Sequence, residues 1–331
     1  MVQELLPDLY RIEIPLPNNP LKSVNSYLLK GRGRCLIIDT GMNRRECLNQ
    51  MLSSLRELEV DLRKTDFFIT HLHADHLGLI GDLATDTSAV YFNQTEASIV
   101  NTESNEEYWQ EIYEFYLSHG FPEAELKESL DSHPGRRYRS QRRVDFSSVE
   151  EGDMIEIGDY AFRCLETRGH SPGHMCLFEP RKKILISGDH ILFDITPNIT
   201  PWPEMGDSLG EYLANLEKVR NLDVELVLPG HRNTCHDLKA RISELQEHHL
   251  ARLSEVLFAL EGGDRTAFQV APYISWDIDC ASWELFPTTQ KWFAVGEAVA
   301  HLAHLEEKGV VHSKTVGNEV IFSVNSQAAP L

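Results

Sequence analysis

Basic residues are scarce in this chain: 31 Lys and Arg stand against 51 Asp and Glu, a formal net charge of −20. A surface of that sign repels phosphate backbones, so nucleic acid is not an expected partner. Long apolar runs are also missing. None approaches the roughly 20 residues of a membrane-spanning helix, and no membrane partner is expected. The stretch Met1-Val2-Gln3-Glu4-Leu5-Leu6-Pro7 has no basic region leading into an apolar one, so no secretion signal is expected. Six cysteines (Cys35, Cys47, Cys164, Cys176, Cys235, Cys280) lack CxxC spacing. In a chain of this size they read as free thiols in a reducing compartment, with the cytoplasm as the expected address. With 42% hydrophobic and 25% charged residues, the 331-residue chain has room for a large core and a second unit.

Metal-binding side chains, by contrast, are concentrated. His71-Leu72-His73-Ala74-Asp75-His76 packs three imidazoles and a carboxylate into six residues. It follows Asp66-Phe67-Phe68-Ile69-Thr70, an apolar run that predicts a buried strand. Buried ring nitrogens and carboxylate oxygens each need a partner, and together they suit a borderline divalent metal. Alternate positions on an extended segment share a direction, so His71 and His73 can grip one ion. Asp75 and His76 follow where the chain turns towards a helix, and can face a second. A His-rich surface loop or a terminal tag would also be rich in histidine. Tags, however, are consecutive runs at a terminus, and this cluster is neither.

Three more strand-like runs end in ligand-type residues. Tyr160-Ala161-Phe162-Arg163-Cys164-Leu165-Glu166-Thr167 leads to Gly169-His170-Ser171-Pro172-Gly173-His174. Ile184-Leu185-Ile186-Ser187-Gly188-Asp189 ends in Gly-Asp, and Leu226-Val227-Leu228-Pro229-Gly230-His231 ends in Gly-His. The C-terminal ends of strands are where open α/β sheets gather their sites.

The order HxHxDH, GHSPGH, SGD, PGH resembles the metallo-β-lactamase superfamily of binuclear metallohydrolases. The N-terminal stretch agrees, since Val24 to Leu29 and Cys35 to Gly41 resemble that fold's opening hairpin with its Asp-x-Gly turn. The resemblance spans roughly Leu9 to His231. It implies an α/β (α+β) fold, an αββα sandwich of two sheets face to face with helices outside. It also implies that His71, His73 and His170 hold one divalent ion, that Asp75, His76 and His231 hold another, and that Asp189 bridges the two. Asp189 stands where true β-lactamases of this fold usually have Cys, and His73 where flavodiiron reductases have Glu. The set is thus most similar to the glyoxalase II, lactonase and RNase-type branches. Single-iron dioxygenase relatives share HxHxDH, which leaves redox chemistry open. Zinc is the default metal, with iron and manganese fitting the same donors. Two such ions would bring the pKa of a bound water to about neutral, and the hydroxide would attack a carbonyl or phosphoryl centre. Asp75 is the candidate catalytic proton shuttle. His174 is expected to orient a ligand, and His190 either to touch substrate or to cap its strand. His236, His248 and His249 fall on a polar helical stretch and are expected to be solvated.

Between the first two motifs lies an insertion, about residues 94–147, with aromatics at helical spacing from Glu106 to Leu117 and a second helical segment at Glu123 to Leu130. It is placed to form a lid. Arg136-Arg137-Tyr138-Arg139-Ser140-Gln141-Arg142-Arg143 closes it, running against the overall charge. These arginines either pair with the lid's acids or bind an anionic handle on a substrate, such as a carboxylate, phosphate or coenzyme A nucleotide. Beyond the catalytic domain (1–235), a C-terminal domain (236–331) is expected. It would hold a helix from Asp237 to Leu260, further helix from Trp283 to Lys308, and a hairpin turning at Val316-Gly317-Asn318. Helix, helix, hairpin resembles a small winged helix. From His236 on, however, seven basic residues face thirteen acidic ones, so packing or homodimer formation is the expected role rather than nucleic-acid binding. The segment Asp194 to Pro203 is placed to line a pocket.

The expected function is metal-dependent hydrolysis of an ester, lactone or thioester of a small or medium substrate, anionic if the arginines bind it. A phosphodiesterase or ribonuclease of the same fold, or a metal-bound regulator with slight turnover, is the alternative.

Overall fold

Alternation of apolar side chains along the strands builds two sheets and three apolar layers. The computed structural model describes residues 1–102, 106–203, 205–234 and 237–325. The first sheet has seven strands in chain order: β1 (Val2–Leu6), β2 (Leu9–Pro15), β3 (Ser23–Lys30), β4 (Cys35–Ile38), β5 (Thr65–Phe68), β6 (Val90–Asn93) and β7 (Ser147–Val149). Strands β1 to β4 are antiparallel neighbours, whereas β4 to β7 run parallel. The second sheet comprises β8 (Met154–Ile157), β9 (Tyr160–Glu166), β10 (Met175–Glu179), β11 (Ile184–Gly188) and β12 (Leu226–Pro229), ordered β12-β11-β10-β9-β8.

Successive side chains of a strand point to opposite faces, and the burial follows that rule. Leu29, Ile38 and Phe68 of the first sheet meet Phe162, Leu177, Ile186 and Leu228 of the second in one inter-sheet core. Their neighbours Leu28, Ile37 and Phe67 point the other way, onto Cys47, Met51 and Leu55 of helix α1 (Arg45–Glu57). On the far face of the second sheet, Leu165, Cys176, Phe178, Leu185 and Val227 join a third cluster. The result is the αββα sandwich.

Short helices α2 (Ala74–Leu77) and α3 (Ile80–Leu83) follow the HLHADH segment. The insertion folds as α4 (Gln94–Thr102), α5 (Glu106–Ser118), α6 (Glu123–Ser132) and α7 (Pro134–Arg137). Helix α8 (Ser208–Arg220) leads into β12. The long α9 (Leu238–Glu261) is capped by Asp237, whose side chain accepts a hydrogen bond from the Ala240 amide at 3.0 Å. After α10 (Ala267–Val270), the helix expected from Trp283 is interrupted. A 3₁₀ turn, Trp283–Leu285, is followed by extended Phe286 and Pro287, and α11 starts only at Thr288, running to Glu307. The residue before proline is biased away from helix, which accounts for the break. Strands β13 (Val311–Val316) and β14 (Glu319–Val324) form the hairpin. The helix–helix–hairpin order is therefore present, and the likeness to a winged helix rests on that order alone.

Lid helices and C-terminal helices share one core. Trp109, Tyr116, Phe121 and Leu126 lie in the same buried cluster as Leu245, Leu253, Trp292, Val295 and Phe322. Tyr116 stacks on Trp292 with ring centroids 3.9 Å apart, Lys291 pairs with Glu125 at 2.6 Å, and Ser129 donates to the Thr288 carbonyl at 3.0 Å. His249, expected on a solvated face, is instead fully buried, with its Nδ1 3.1 Å from Nε2 of His301. The helix carries apolar residues on more than one face because α8 and α11 both pack on it. His248 is half-buried, and His236, like Cys235, lies outside the described residues. No described helix is long and apolar enough to cross a membrane.

Trp292, with 5% of its surface exposed, joins lid to C-terminal helix. Trp292→Ala is expected to cost about 3–5 kcal/mol, as for large aromatics removed from packed cores. Urea unfolding measures it.

Candidate metal centre

The parallel portions of both sheets end at one edge, and the four motifs meet there. His71 follows β5, His170 follows β9, Asp189 follows β11 and His231 follows β12. Tyr27 and Asn25 of β3 hold the last of these loops. The Tyr27 hydroxyl donates to the Pro229 carbonyl at 2.7 Å, and the Asn25 amide donates to the Gly230 carbonyl at 2.7 Å.

Donor atoms converge in three groups, each within 4.8 Å: His71, His73 and His170; His71, His76 and Asp189; Asp75, His76 and His231. Nδ1 of His73 lies 3.0 Å from Nε2 of both His71 and His170. His231 Nε2 stands 3.3 Å from Asp75 Oδ2 and 3.3 Å from Asp189 Oδ2. Asp189 also faces His76 at 3.5 Å and His170 at 3.7 Å, so it is shared between the clusters. All seven residues named from the sequence are brought together.

The donor set fits a cation on an observation independent of type. His76 Nε2, His231 Nε2 and Asp189 Oδ1 are buried and have no hydrogen-bond partner, although native proteins rarely leave such atoms unsatisfied. Gly230 makes room for the convergence, since a Cβ there would fall 2.3 Å from Asp189 Oδ1. Gly188 (φ +48°) allows the sharp exit from β11, and a Cβ there would meet His174 Nε2 at 2.6 Å.

Outer partners fix the far sides of these groups. Asp39 Oδ2 takes His76 Nδ1–H at 2.7 Å while its Oδ1 accepts the Thr70 amide at 2.9 Å. The Ser23 carbonyl accepts from His231 Nδ1 at 2.6 Å, and the Asn198 carbonyl from His170 Nδ1 at 2.8 Å. His174 holds Asp189 rather than a histidine, since its Nε2 accepts the Asp189 amide at 3.1 Å. His190 neither lines the cavity nor caps the strand with its ring. It is buried between His174 and Tyr212. Glu96 was missed in the sequence. Fully buried, it accepts from the Leu72 amide (2.7 Å), the Ser171 hydroxyl (2.6 Å) and the Gly173 amide (2.7 Å), tying the first motif loop to the second. Asp39 was seen only as part of a turn. Neither residue carries a spacing that marks it, because each acts through the fold.

Charge divides the site. Burial and then His170 push His73 down to about 3, and burial with His76 and His73 holds His71 well below its ordinary value, so the first triad is neutral and able to ligate. For His231, burial lowers the pKa, but Asp189 and Asp75 outweigh it and lift it to about 10. His76 is likewise held well above its usual range, by Asp39, Asp189 and Asp75 against burial. Burial raises the Asp75 pKa, but His76 and His231 prevail and bring it to about 2.

A cavity of about 1070 Å³ opens over His73, Asp75, His170 and Asp189. Trp202, stacked 6.2 Å from His73, and Pro197, Asn198 and Pro201 line it, as the segment after Asp189 was expected to do. Trp109, Tyr116 and Trp292 form an aromatic wall. The arginines of the cluster are placed differently from one another, Arg142 also lying 3.9 Å from Asp82. Arg136 pairs with Glu106 at 3.1 Å, as the lid-folding reading has it. Arg137, Arg139, Arg142 and Arg143 line the cavity, together with Arg44.

Comparison with known proteins agrees. The family model of the metallo-beta-lactamase superfamily matches residues 19–231. A probable metallo-hydrolase of Bacillus subtilis, YqjP, is 26% identical over 95% of this chain and 97% of its own. The human acyl-coenzyme A thioesterase MBLAC2 is 28% identical over 63% of this chain and 73% of its own. The crystal structure of a metallo-beta-lactamase family protein from Thermus thermophilus superposes with a TM-score of 0.82 at 28% identity, covering 97% of this chain and 100% of that one.

Binding a cation at the His76–Asp75–His231 cluster must expel the imidazolium protons. Zinc titration calorimetry in two buffers of different ionisation heat is expected to show net proton release, and affinity to rise with pH. Asp39→Ala is expected to weaken metal binding about 10–100-fold, as loss of an outer partner typically does; competition with a chromophoric chelator reads this.

Proposed function

The chain belongs to the metallo-beta-lactamase superfamily, and from that membership and the site's geometry we propose that it is a binuclear metal-dependent hydrolase of esters and thioesters, acting on an acyl compound with an anionic end. One observation carries the proposal: two donor clusters meet at Asp189 beneath a cavity lined by both aromatic side chains and arginines. His71, His73 and His170 would hold one ion, and Asp75, His76 and His231 the other, with zinc the first choice for an all-nitrogen and oxygen donor set. Divalent ions held there would supply a nucleophilic hydroxide at neutral pH and polarise the scissile carbonyl.

The chain's own residues do the rest. Asp75 lines the cavity, where its carboxylate could accept the proton that leaves the nucleophile. Trp202 lies roughly parallel to His73 with ring centroids 6.2 Å apart and adds an apolar face to that side of the cavity. The Trp109, Tyr116 and Trp292 wall takes the apolar acyl part by burial. Arg137, Arg142 and Arg143 are exposed at the cavity, where guanidinium groups suit carboxylate or phosphate. In a chain of net charge −20 they form a local positive rim that draws in an anionic substrate. The thioesterase named among the relatives acts on a substrate of this kind, an acyl group on a phosphate-bearing carrier.

The test is turnover of an acyl-coenzyme A, a neutral acyl ester, a lactone and bis-p-nitrophenyl phosphate, each with and without chelator. Chelator-sensitive cleavage of the acyl compounds is expected, and cleavage of the phosphodiester alone would overturn the proposal. The Arg137→Ala, Arg143→Ala double variant is expected to raise KM for acyl-coenzyme A about tenfold, the worth of one charge-assisted hydrogen bond of about 1.5 kcal/mol. The neutral ester should be unaffected, and the difference should shrink with added salt.

A further inference from the structure

We infer that Asn198, Glu297 and Arg252 are positioning residues of the metal centre, through which the C-terminal helices set the orientation of His170. The inference rests on the reading that His71, His73 and His170 hold a metal. His170 Nδ1–H donates to the backbone carbonyl of Asn198 at 2.8 Å, which leaves Nε2 with its lone pair directed at His73 and Asp189. The side chain of the same Asn198 donates from Nδ2 to Glu297 Oε2 at 2.6 Å, across 99 positions of chain. Glu297 Oε1 accepts from Arg252 Nη1. Arg252 in turn donates to the Ser275 carbonyl at 3.3 Å, and its guanidinium lies 4.5 Å over the Trp276 ring.

Glu297 of α11 and Arg252 of α9 are 4% and 9% exposed, so this ion pair is placed in the interior, where desolvation makes it a poor source of stability. What it does accomplish is to fix the Asn198 side chain, and with it the carbonyl that orients a ligand. The loop between Asp189 and Trp202 has a second anchor on α9, since Arg241 donates to the Leu192 carbonyl at 2.7 Å and the Ile195 carbonyl at 3.0 Å. Both tethers come from beyond the sandwich. His249, Glu297 and His301 also lie close enough together to be a metal triad. There the guanidinium already holds the carboxylate and supplies the positive charge, so the cluster serves as support rather than as a further cation site.

The experiment uses the full chain, zinc competition with a chromophoric chelator, and the visible spectrum of the cobalt-substituted protein. Asn198→Ala and Glu297→Ala are each expected to weaken the tighter zinc equivalent about 10–100-fold and to alter the cobalt bands. The double variant should be no weaker than either single one, because both act on one chain of contacts. Arg252→Met with Glu297→Gln keeps an acceptor for Asn198 Nδ2 while removing both charges, and is expected to restore affinity and spectrum. Should Glu297→Ala fail to fold, Asn198→Ala and the paired variant carry the decision. Folded Asn198→Ala and Glu297→Ala variants with wild-type affinity and bands would overturn the inference, as would additive losses or a paired variant as weak as Glu297→Ala. A wild-type chain that binds no zinc would instead overturn the metal reading beneath it.

Discussion

The structure depends on how buried imidazoles are held from behind. A histidine ring can present a lone pair to a cation only if its other nitrogen has a partner that fixes the proton there. Four of the rings at this centre are secured in that way: His71 beside the Thr70 hydroxyl, His76 on Asp39, His231 on the Ser23 carbonyl and His170 on the Asn198 carbonyl. Three of these supports come from the first sheet and the loops that follow its strands, and the fourth from the loop that the C-terminal helices anchor, while His231 and His170 follow strands of the second sheet. The two faces of the sandwich are therefore registered to one another by the site as well as by the apolar layer between them.

Much of this was legible in the residues. The HLHADH, GHSPGH, SGD and PGH segments end strands, and their order resembles that of the superfamily, so the resemblance named the seven donors before their distances were known. The supports could not. Asp39 lies 37 positions from His76, Glu96 is 75 from Ser171, and Glu297 is 99 from Asn198. An outer partner needs only an acceptor in the right place, which many side chains and any carbonyl can supply, so no residue pattern marks it. His249 illustrates a second kind of blindness. Its helix has polar residues at regular intervals, but two other helices pack against it, and burial depends on neighbours the local pattern does not contain. The break before Thr288 was visible as Phe286-Pro287 and was passed over because the surrounding apolar spacing is helical.

Electrostatics orders the site along a line from interior to rim. At the floor, buried carboxylates raise the proton affinity of the imidazoles that face them, away from water. The cavity lining includes both aromatic side chains and exposed arginines. Interior charges are screened little by salt and rim charges strongly. Binding of the centre's ions and capture of a substrate thus respond to different conditions, although they share one cavity.

The stacking of Tyr116 on Trp292 has a consequence for traffic through that cavity. A flap that swings on a loop can part from its body at little cost, whereas this roof is continuous with the largest buried cluster of the molecule. Lifting it would strip core side chains of their contacts, so its opening belongs with the rarest, near-global fluctuations rather than with local breathing. The standing shape of the cavity, rather than a loosely hinged flap, is then what an incoming molecule meets.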